Sequence, residues 1–329
     1  MIQSLTLAFA WIHERLFEIL VQPALYSLGL NDYAEMAFEA LEVPLIGLIE
    51  VAFLCLVFRP LEALRPIEAW PDRREARVDI IYTLLVRLGI VPLALFLIFT
   101  PAQDLVDTAL SDHGLTPLRL EQWLPGLEDR PLVAFLVYLL LFDLSGYVVH
   151  RLQHRFDWWW ALHSLHHSQR QMSFWADDRN HLLDDVLTQA WLMLTGILIG
   201  VEPENYLLIM ILAALVQNVA HANVRLPFGW LGERLLVSPR FHRAHHALEL
   251  PQSGAYQGCN FAVLFPVWDM LFGTANFTLH NAATGIADDS PRGPYRNGFF
   301  AQQVDGCLRL WDCLSGRQRQ SPAGSSTST

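Results

Sequence analysis

Long apolar runs separated by short polar segments dominate this sequence. Residues 79–100 and 131–149 each supply about 20 mostly apolar positions, the length that a helix needs to cross the hydrocarbon core of a bilayer. Residues 43–58 reach that length if their flanks join in, and residues 5–29 either span the bilayer or lie at its surface. The pattern predicts an all-α integral membrane protein with several transmembrane helices, because lipid offers no partners for unpaired backbone groups.

Two shorter apolar runs, residues 186–201 and 205–220, are separated by an acidic segment around Pro203. Each run is short for an independent span. Together they predict a helical hairpin that enters the membrane, turns at Pro203 and returns, so that both of its ends lie on the same side.

The charges of the connecting segments predict an orientation. Residues 59–78 carry five Arg, whereas residues 101–130 carry six carboxylates and two Arg. Because cytoplasmic loops are enriched in basic residues, the first segment is expected in the cytoplasm and the second outside. Three crossings then place the chain from residue 150 onward at the cytoplasmic face, which for a bacterial protein means the inner membrane.

Composition supports a lipid environment and excludes some classes of function. The chain is 53% hydrophobic and 17% charged, whereas soluble domains contain about 25% charged residues. Its net charge of −11 argues against nucleic-acid binding, which needs a basic surface. Four scattered Cys without CxxC spacing give little support to a disulfide or soft-metal site. No cleaved signal peptide is expected.

Eight of the 13 histidines fall in three short clusters, HRLQH, HSLHH and HRAHH. The clusters contain His150 and His154; His163, His166 and His167; and His242, His245 and His246. Spacings of three and four residues place each cluster on one helical face. A continuous helix would put the first two clusters on opposite sides, so we expect a bend between them, with Asp157 as the N-cap of a new helix. Ser238 as N-cap and Pro239 at the first helical position predict the helix of the third cluster.

Clusters of neutral imidazoles on one side of a membrane indicate a metal site. Eight histidines exceed the four ligands of structural zinc and the three of catalytic zinc, so two ions are the economical solution. Imidazole suits iron, copper, nickel and zinc alike, and the spacing leaves the metal open. Asp143 shares a helical stripe with His150 and His154 and is a candidate to orient an imidazole ring.

The three clusters resemble the HxxxH, HxxHH and HxxHH set of the fatty acid hydroxylase superfamily, also called the sterol desaturase family. The resemblance extends from about Asp143 to Thr274 and includes the segments HSQRQM, RNH, HAN, SPRFHRAHH and VWDMLFGT. It implies an integral membrane non-haem di-iron oxygenase that uses O2 to act on a lipid C–H bond. The implied fold has a few transmembrane helices topped by a cytosolic helical cap that holds the metals.

The resemblance also implies which residues bind the two irons. The ligands carried over by position are His150, His154, His163, His166, His167, His242, His245 and His246, with His181 and His221 as further ligands or close neighbours. The candidates to support them are Asp143, Gln217, Asn223 and Asp269. Some relatives have a histidine at the position of Gln217, so one site is expected to be a ligand short or completed by water.

Other residues near the clusters receive weaker assignments. Asp177 and Asp178 are candidates to orient rings, or else ordinary surface carboxylates. The three tryptophans at 158–160 are interpreted as an interfacial aromatic belt. His13, His113 and His280 lie outside the clusters and are expected to be non-catalytic.

The expected organisation has three parts. Residues 1–130 supply membrane helices and loops, residues 131–280 form the catalytic domain, and residues 281–329 form an extension with a disordered tail. No fused cytochrome b5 domain and no GxGxxG fingerprint is found. Electrons are therefore expected from a separate ferredoxin, cytochrome b5-like protein or reductase.

Hydroxylation of a lipid C–H bond is the leading hypothesis, and desaturation is the nearest alternative because both begin with the same hydrogen abstraction. A zinc-dependent membrane hydrolase is less favoured, since no histidine cluster carries an adjacent general base as in HExxH. A non-catalytic metal-binding membrane protein would favour flexible histidine tracts. The sequence leaves the lipid substrate, the electron donor and the oligomeric state open.

Overall fold

A computed structural model describes residues 2–70, 72–114, 119–248, 258–279, 281–286 and 292–316. Within these ranges the regular structure is helical, and the extended backbone pairing is one isolated bridge between Ala247 and Thr284. This confirms the all-α prediction. His280 and the tail that was expected to be disordered, from residue 317 on, lie outside the described residues.

The helices follow one another with short connections. They are α1 (Ile2–Leu16), α2 (Gln22–Leu28), α3 (Ala34–Ala40), α4 (Glu42–Leu64), α5 (Ala76–Arg87), α6 (Ile90–Asp112), α7 (Leu120–Trp123), α8 (Pro131–Arg155), α9 (Asp157–His167), α10 (Leu182–Ile199), α11 (Pro203–His221), α12 (Gly229–Leu235), α13 (Pro239–His245), α14 (Val267–Phe272) and α15 (Phe299–Leu314). A π-helical segment, Phe17–Val21, joins α1 to α2.

Four helical segments are long and apolar enough to cross a membrane. They are Asn31–Leu64, Ile90–Asp112, Pro131–Arg155 and Leu182–Ile199, and Asn205–His221 is a shorter apolar helix. Their exposed surfaces are rich in large apolar side chains such as Leu56, Phe96 and Leu132. The protein is therefore an integral membrane protein, since such a surface suits lipid rather than water.

The predicted span over residues 79–100 is wrong in its bounds. The helix breaks at Gly89, which has a φ of +81°, and a new helix starts at Ile90. The preceding helix, α5, ends at Arg87, whose guanidinium lies 3.3 Å from Asp178 and 3.6 Å from Asp177. Arg87 is thus anchored on the polar side of the molecule, so the apolar run divides into one non-spanning and one spanning helix.

The predicted hairpin of residues 186–220 is present. Helices α10 and α11 are joined by a short turn, and Tyr138 near the start of α8 donates to the carbonyl oxygen of Gly200 in this turn. Arg119 pairs with Glu202 at the same place. The turn therefore lies at the end of the helical bundle where α8 begins, which we call the far end.

The opposite end of the bundle, called here the histidine end, is where α8 and α11 finish. Helix α9 packs on α8 there, α13 packs on α11, and α15 packs on α9. The carboxylate of Glu62, near the end of α4, accepts from the backbone N–H groups of Phe174 and Asn223, which ties a third apolar helix to this end. The short helices form a cap over the membrane helices.

Two local predictions concern how the histidine-bearing helices start. The chain bends between α8 and α9 as expected, but Phe156 occupies the cap position and Asp157 is already in the helix, so the predicted N-cap is wrong by one residue. The start of α13 is confirmed, because the Ser238 hydroxyl accepts from the N–H of Phe241 and Pro239 opens the helix.

Candidate metal centre

Nine buried or nearly buried histidines meet at the histidine end in two groups. The first group contains His150, His154, His163, His167 and His245, and the second contains His166, His221, His242 and His246. In each group the nitrogen atoms available for coordination all lie within 4.8 Å of one another. Eight of the nine were expected from the sequence clusters, and His221 was expected as a further ligand or neighbour.

Two pairs of adjacent histidines are divided between the groups. His167 and His245 belong to the first group, while their chain neighbours His166 and His246 belong to the second. Consecutive residues of a helix point about 100° apart. Each HH pair therefore places one imidazole in each group, which explains why the motif needs two histidines in succession.

In the first group, three rings are fixed through Nδ1. The carbonyl oxygen of Phe261 lies 2.9 Å from Nδ1 of His150, and that of Cys259 lies 2.7 Å from Nδ1 of His245. A carbonyl oxygen only accepts, so these Nδ1 atoms carry the proton and Nε2 carries the lone pair. The Nε2 atoms of both rings are buried without a partner among the described residues, as expected of atoms aimed at a metal.

The third fixed ring is His163, whose Nδ1 lies 2.9 Å from Asp184. The same carboxylate accepts from Gln153 and from the indole of Trp159, each at 2.8 Å. Asp184 was missed in the sequence, although a carboxylate in the first turn of the helix after the second cluster was visible. Its role depends on how α10 packs against α8 and α9, which the spacing does not reveal.

In the second group, Nε2 atoms approach one another directly. Nε2 of His221 lies 3.2 Å from Nε2 of His166 and 3.0 Å from Nε2 of His242, and the latter lies 3.1 Å from Nε2 of His246. Two nitrogens bound to one ion at about 2.1 Å and at right angles lie about 3 Å apart. The spacing is therefore that of imidazoles arranged around one ion.

The cap histidines are held in the neutral form that coordination requires. Burial, reinforced by neighbouring imidazoles, lowers the pKa of His166, His167, His242, His245 and His246 well below the ordinary value. A protonated imidazole cannot bind a metal. The all-nitrogen donor sets, the unpartnered Nε2 atoms and the two separate foci fit two metal ions, with one held by each group.

The other candidates around the ligands act on backbone segments. Asp143 accepts from the N–H groups of Leu264 and Phe265 and from the indole of Trp268, and no described contact joins it to a histidine. Asp269 accepts from the N–H of Phe261, the residue whose carbonyl holds His150. These carboxylates fix the segment that carries the carbonyl anchors. The expected contact of Asp143 with an imidazole ring is not found among the described residues.

Gln217 and Asn223 hold the two ends of the region around His221. The Gln217 side chain donates to the carbonyl oxygen of Val263. The backbone carbonyl oxygen of Gln217 lies 2.9 Å from Nδ1 of His221. The Asn223 side chain accepts from the N–H groups of Ile67 and Glu68. Gln217 therefore supports His221 through its backbone, and no described contact makes its side chain a ligand.

Asp177 is a further contact of His221. Its carboxylate lies 3.3 Å from Nδ1 of that ring, whereas Asp178 pairs with Arg87. Burial raises the pKa of Asp177 to about 6, and Arg87 acts in the opposite direction. Asp177 is therefore the one of the two that is placed to orient an imidazole ring.

The interpretation of the tryptophans as an interfacial belt needs correction. Trp159 is buried and donates to Asp184, and the ring of Trp160 lies 4.9 Å from that of His154 and 5.2 Å from that of His167. Only Trp158 lacks a described contact with the site. The bend at Phe156 turns the other two rings inward, so they form part of the wall around the first group.

The expectation that His181 meets the clusters is also corrected. His181 is the N-cap of α10, where its Nδ1 accepts from the N–H of Leu183 at 3.1 Å. Its Nε2 lies 2.8 Å from the carbonyl oxygen of Gln303 in α15 and therefore donates to it. Both nitrogens are engaged, so no lone pair is left for a metal, and the ring lies outside both groups.

Two histidines that were expected to be non-catalytic also lie outside the groups. Nε2 of His13 is 2.8 Å from the carbonyl oxygen of Phe38, and Nδ1 of His113 is 2.8 Å from that of Ala109. Both contacts join residues of the N-terminal helices or their ends and involve neither histidine group.

A comparison with protein families matches residues 135–274 to the fatty acid hydroxylase family. The matched segment contains all nine grouped histidines. Residues 135–274 are therefore similar to this family.

Curated relatives align with part of the chain and, in one case, with most of it. The ornithine lipid hydroxylase of Rhizobium tropici is 29% identical over 86% of this chain and 82% of its own length. Human alkylglycerol monooxygenase is 28% identical over 40% of this chain, and human cholesterol 25-hydroxylase is 27% identical over 41%. The alignments cover only 28% and 48% of those two proteins. No solved structure matches.

Proposed function

We propose that the protein is a membrane-bound non-haem di-iron oxygenase that uses O2 to hydroxylate a C–H bond of a lipid drawn from the bilayer. The observation that carries the proposal is the division of nine histidines into two compact groups, each able to hold one ion. The relatives named as lipid hydroxylases and monooxygenases support an oxidoreductase. The metal identity and the use of O2 are the steps proposed beyond them.

Each histidine group would hold one of the two irons. His150, His163 and His245 would hold one iron through Nε2, because their Nδ1 protons are committed to fixed acceptors. Two irons supply the means to activate O2 for attack on an unactivated carbon. The protein contributes neutral ligands in fixed orientations and a buried setting that excludes bulk water from the reaction.

Hydroxylation is preferred to desaturation because two of the relatives are named hydroxylases and the third a monooxygenase. The zinc hydrolase alternative loses support from the site itself. The carboxylates nearest to the rings, Asp184 and Asp177, lie against Nδ1 atoms and anchor them. A hydrolase would need a carboxylate free to activate water beside the ion.

Metal content is the direct test. Protein purified anaerobically from iron-rich growth should carry about two irons per chain, one for each imidazole group. Adding a reductant system and O2 should give a hydroxylated lipid, detected by mass spectrometry as a gain of one oxygen atom from labelled O2. One metal or none under these conditions would contradict the di-iron proposal, whereas a dehydrogenated product would favour the desaturase.

The proposed orientation places the histidine end in the cytoplasm, where a separate ferredoxin, cytochrome b5-like protein or reductase delivers electrons. The support is the Arg-rich segment of residues 59–78 at the same end as the histidines. In a cysteine-free background, Arg74→Cys should resist a membrane-impermeant thiol reagent applied outside, and Glu128→Cys should react. The reverse pattern would invert the topology and leave the metal site unaffected.

A further inference from the structure

A cavity of about 1100 Å³ lies at the histidine end, outside the two histidine groups. It opens between the end of α4, the segment that follows α11, and the helices α12 and α13. Four Arg line it, namely Arg65, Arg225, Arg234 and Arg240, together with one carboxylate, Glu233. We call this cavity the arginine pocket.

The described lining of the arginine pocket carries more positive than negative charge. None of its four Arg forms an ion pair with a carboxylate in the described part of the chain. The carboxylate of Glu233 is buried and accepts from the Ser238 hydroxyl, which caps α13. The lining therefore carries a net positive charge that attracts an anion.

Two of the guanidinium groups are held in place by contacts that use only some of their N–H donors. Arg234 donates to the carbonyl oxygen of Trp230 at 2.8 Å and lies 4.6 Å from the ring centres of Trp230 and Phe277. Arg240 donates to the carbonyl oxygen of Phe277. Each guanidinium has five N–H donors, so most remain for a ligand, in a planar arrangement suited to phosphate or carboxylate.

The arginine pocket lies where a membrane surface is expected. Leu64, which ends the apolar helix α4, is part of its lining. Large apolar side chains stand exposed on α12 beside the guanidinium groups, with Trp230 at 74%, Leu231 at 59% and Leu235 at 59%. Exposed tryptophan and leucine next to arginine are typical of the zone where headgroups meet acyl chains.

The arginine pocket shares two segments of the chain with the second histidine group. Arg240 precedes His242 by two residues in α13, and the lining residue Val224 follows His221 by three. A headgroup bound in the pocket would thus be held by the same elements that present two of the imidazoles. This arrangement suits a substrate whose headgroup is fixed while a chain extends toward the metals.

We propose that the arginine pocket binds the anionic headgroup of the lipid substrate, a phosphate or a carboxylate. That the bound lipid is the substrate rests on the proposed function, whereas the binding of an anionic lipid does not. The proposal restricts the substrate class to lipids with a negatively charged oxygen group at the membrane surface. The walls of the pocket are concave, and Arg234 and Arg240 are partly buried. A small lipid headgroup can reach these side chains more easily than the convex surface of an acidic electron-donor protein.

Lipid retention measures this binding without turnover. The iron-loaded protein in detergent is mixed with phosphatidylglycerol or phosphatidylcholine, and bound lipids are counted by native mass spectrometry. Wild type should retain phosphatidylglycerol selectively. The double variant Arg65→Gln/Arg225→Gln, which changes two exposed side chains, should weaken this retention by roughly tenfold or more, since each arginine contributes about fivefold. Arg234→Gln provides an independent second variant with the same expected direction.

Arg77→Gln is the matched control, because Arg77 is exposed on α5 at the same end and lies outside the pocket. It should bind phosphatidylglycerol like wild type. Equal retention by wild type and the pocket variants would overturn the proposal. Displacement of the lipid by inorganic phosphate at similar concentration would overturn the lipid source and identify a site for a free anion. Unchanged lipid retention with slower reduction by the donor protein would instead identify a docking surface.

Turnover distinguishes this proposal from the proposed function. If the pocket holds the substrate headgroup, the pocket variants should raise KM for an anionic lipid and leave kcat and iron content near wild type. Full iron content and selective lipid retention without any oxygen-dependent product would defeat the oxygenase and leave the arginine pocket as a lipid site. Selective binding with an unchanged KM would overturn its role in substrate recognition.

Discussion

The two histidine groups differ in how their rings are held. In the five-histidine group, the Nδ1 atoms of His150, His163 and His245 each meet a fixed acceptor. In the four-histidine group only His221 has such anchors, while the Nδ1 atoms of His166 and His242 are buried without a partner in the described residues. Three of the five rings in one group are thus fixed by their surroundings, although Nδ1 of His167 is also without a partner in the described residues. In the other group only one of four rings is fixed, so the proposed ion would have to hold the rest.

The difference has a consequence for metal binding. A ring held by a second contact keeps its tautomer and direction when a neighbour is lost, whereas an unanchored ring can turn away. The four-histidine group also has one ligand fewer. We therefore expect the ion in the four-histidine group to be the more sensitive of the two to substitution.

The largest effect is expected from His166→Ala. It leaves three ligands in the four-histidine group and should abolish turnover, with iron falling to about one per chain because a single ion site is lost. His154→Ala leaves four ligands in the anchored group and should retain both irons with weaker affinity. Elemental analysis and oxygen-dependent product formation check both variants. Equal loss of iron in the two would remove the proposed difference between the groups.

The sequence predicted the three clusters because helical spacing alone aligns their residues. It also predicted the hairpin that returns His221 to the site, since Pro203 interrupts two apolar runs that share a length. It could not predict the division of the groups. That division depends on the bend at Phe156 and on the angle at which α13 meets α11, which are properties of packing between distant segments.

The wrong predictions also arise from packing between distant segments. Asp184 and His181 stand three residues apart, yet the first anchors a ring and the second caps a helix. His181 was predicted as a ligand because the family resemblance assigned it and the hairpin would return it to the clusters. The bounds of the second span were wrong for a related reason. Arg87 interrupts the apolar run, and its partners Asp177 and Asp178 lie about ninety positions away in the chain.

Asp184→Asn should have the next largest effect, in the anchored group. The substitution removes the charge that fixes Nδ1 of His163 and weakens the contacts from Gln153 and Trp159. Iron affinity should fall by about 10- to 100-fold, the usual range for loss of such a support. Chelator competition followed by iron analysis measures it. Asp185→Asn, the adjacent carboxylate without a described contact to a histidine, is the control, and a similar loss there would show a general effect on α10.

Asp177→Asn should have a smaller effect on the four-histidine group. His221 keeps its 2.9 Å contact with the carbonyl oxygen of Gln217, which is shorter than the 3.3 Å contact with Asp177. We expect less than a tenfold loss of iron affinity, below the usual range for a sole anchor. Asp178→Asn controls for the shared ion pair with Arg87. A loss as large as that of Asp184→Asn would mean that the carboxylate, rather than the carbonyl, sets the direction of His221.

The smallest effect on the metals is expected from His181→Ala. With Nδ1 accepting from Leu183 and Nε2 donating to Gln303, the ring has no free lone pair, so iron content and turnover should stay near wild type. Stability should fall by about 1 kcal/mol, the typical loss for removing an N-cap, and chemical denaturation of the purified protein would report it. His181→Asn should recover part of this loss, because asparagine is also a good N-cap. Loss of iron in a well-folded His181→Asn variant would return His181 to the ligand set and show that α10 moves when metal binds.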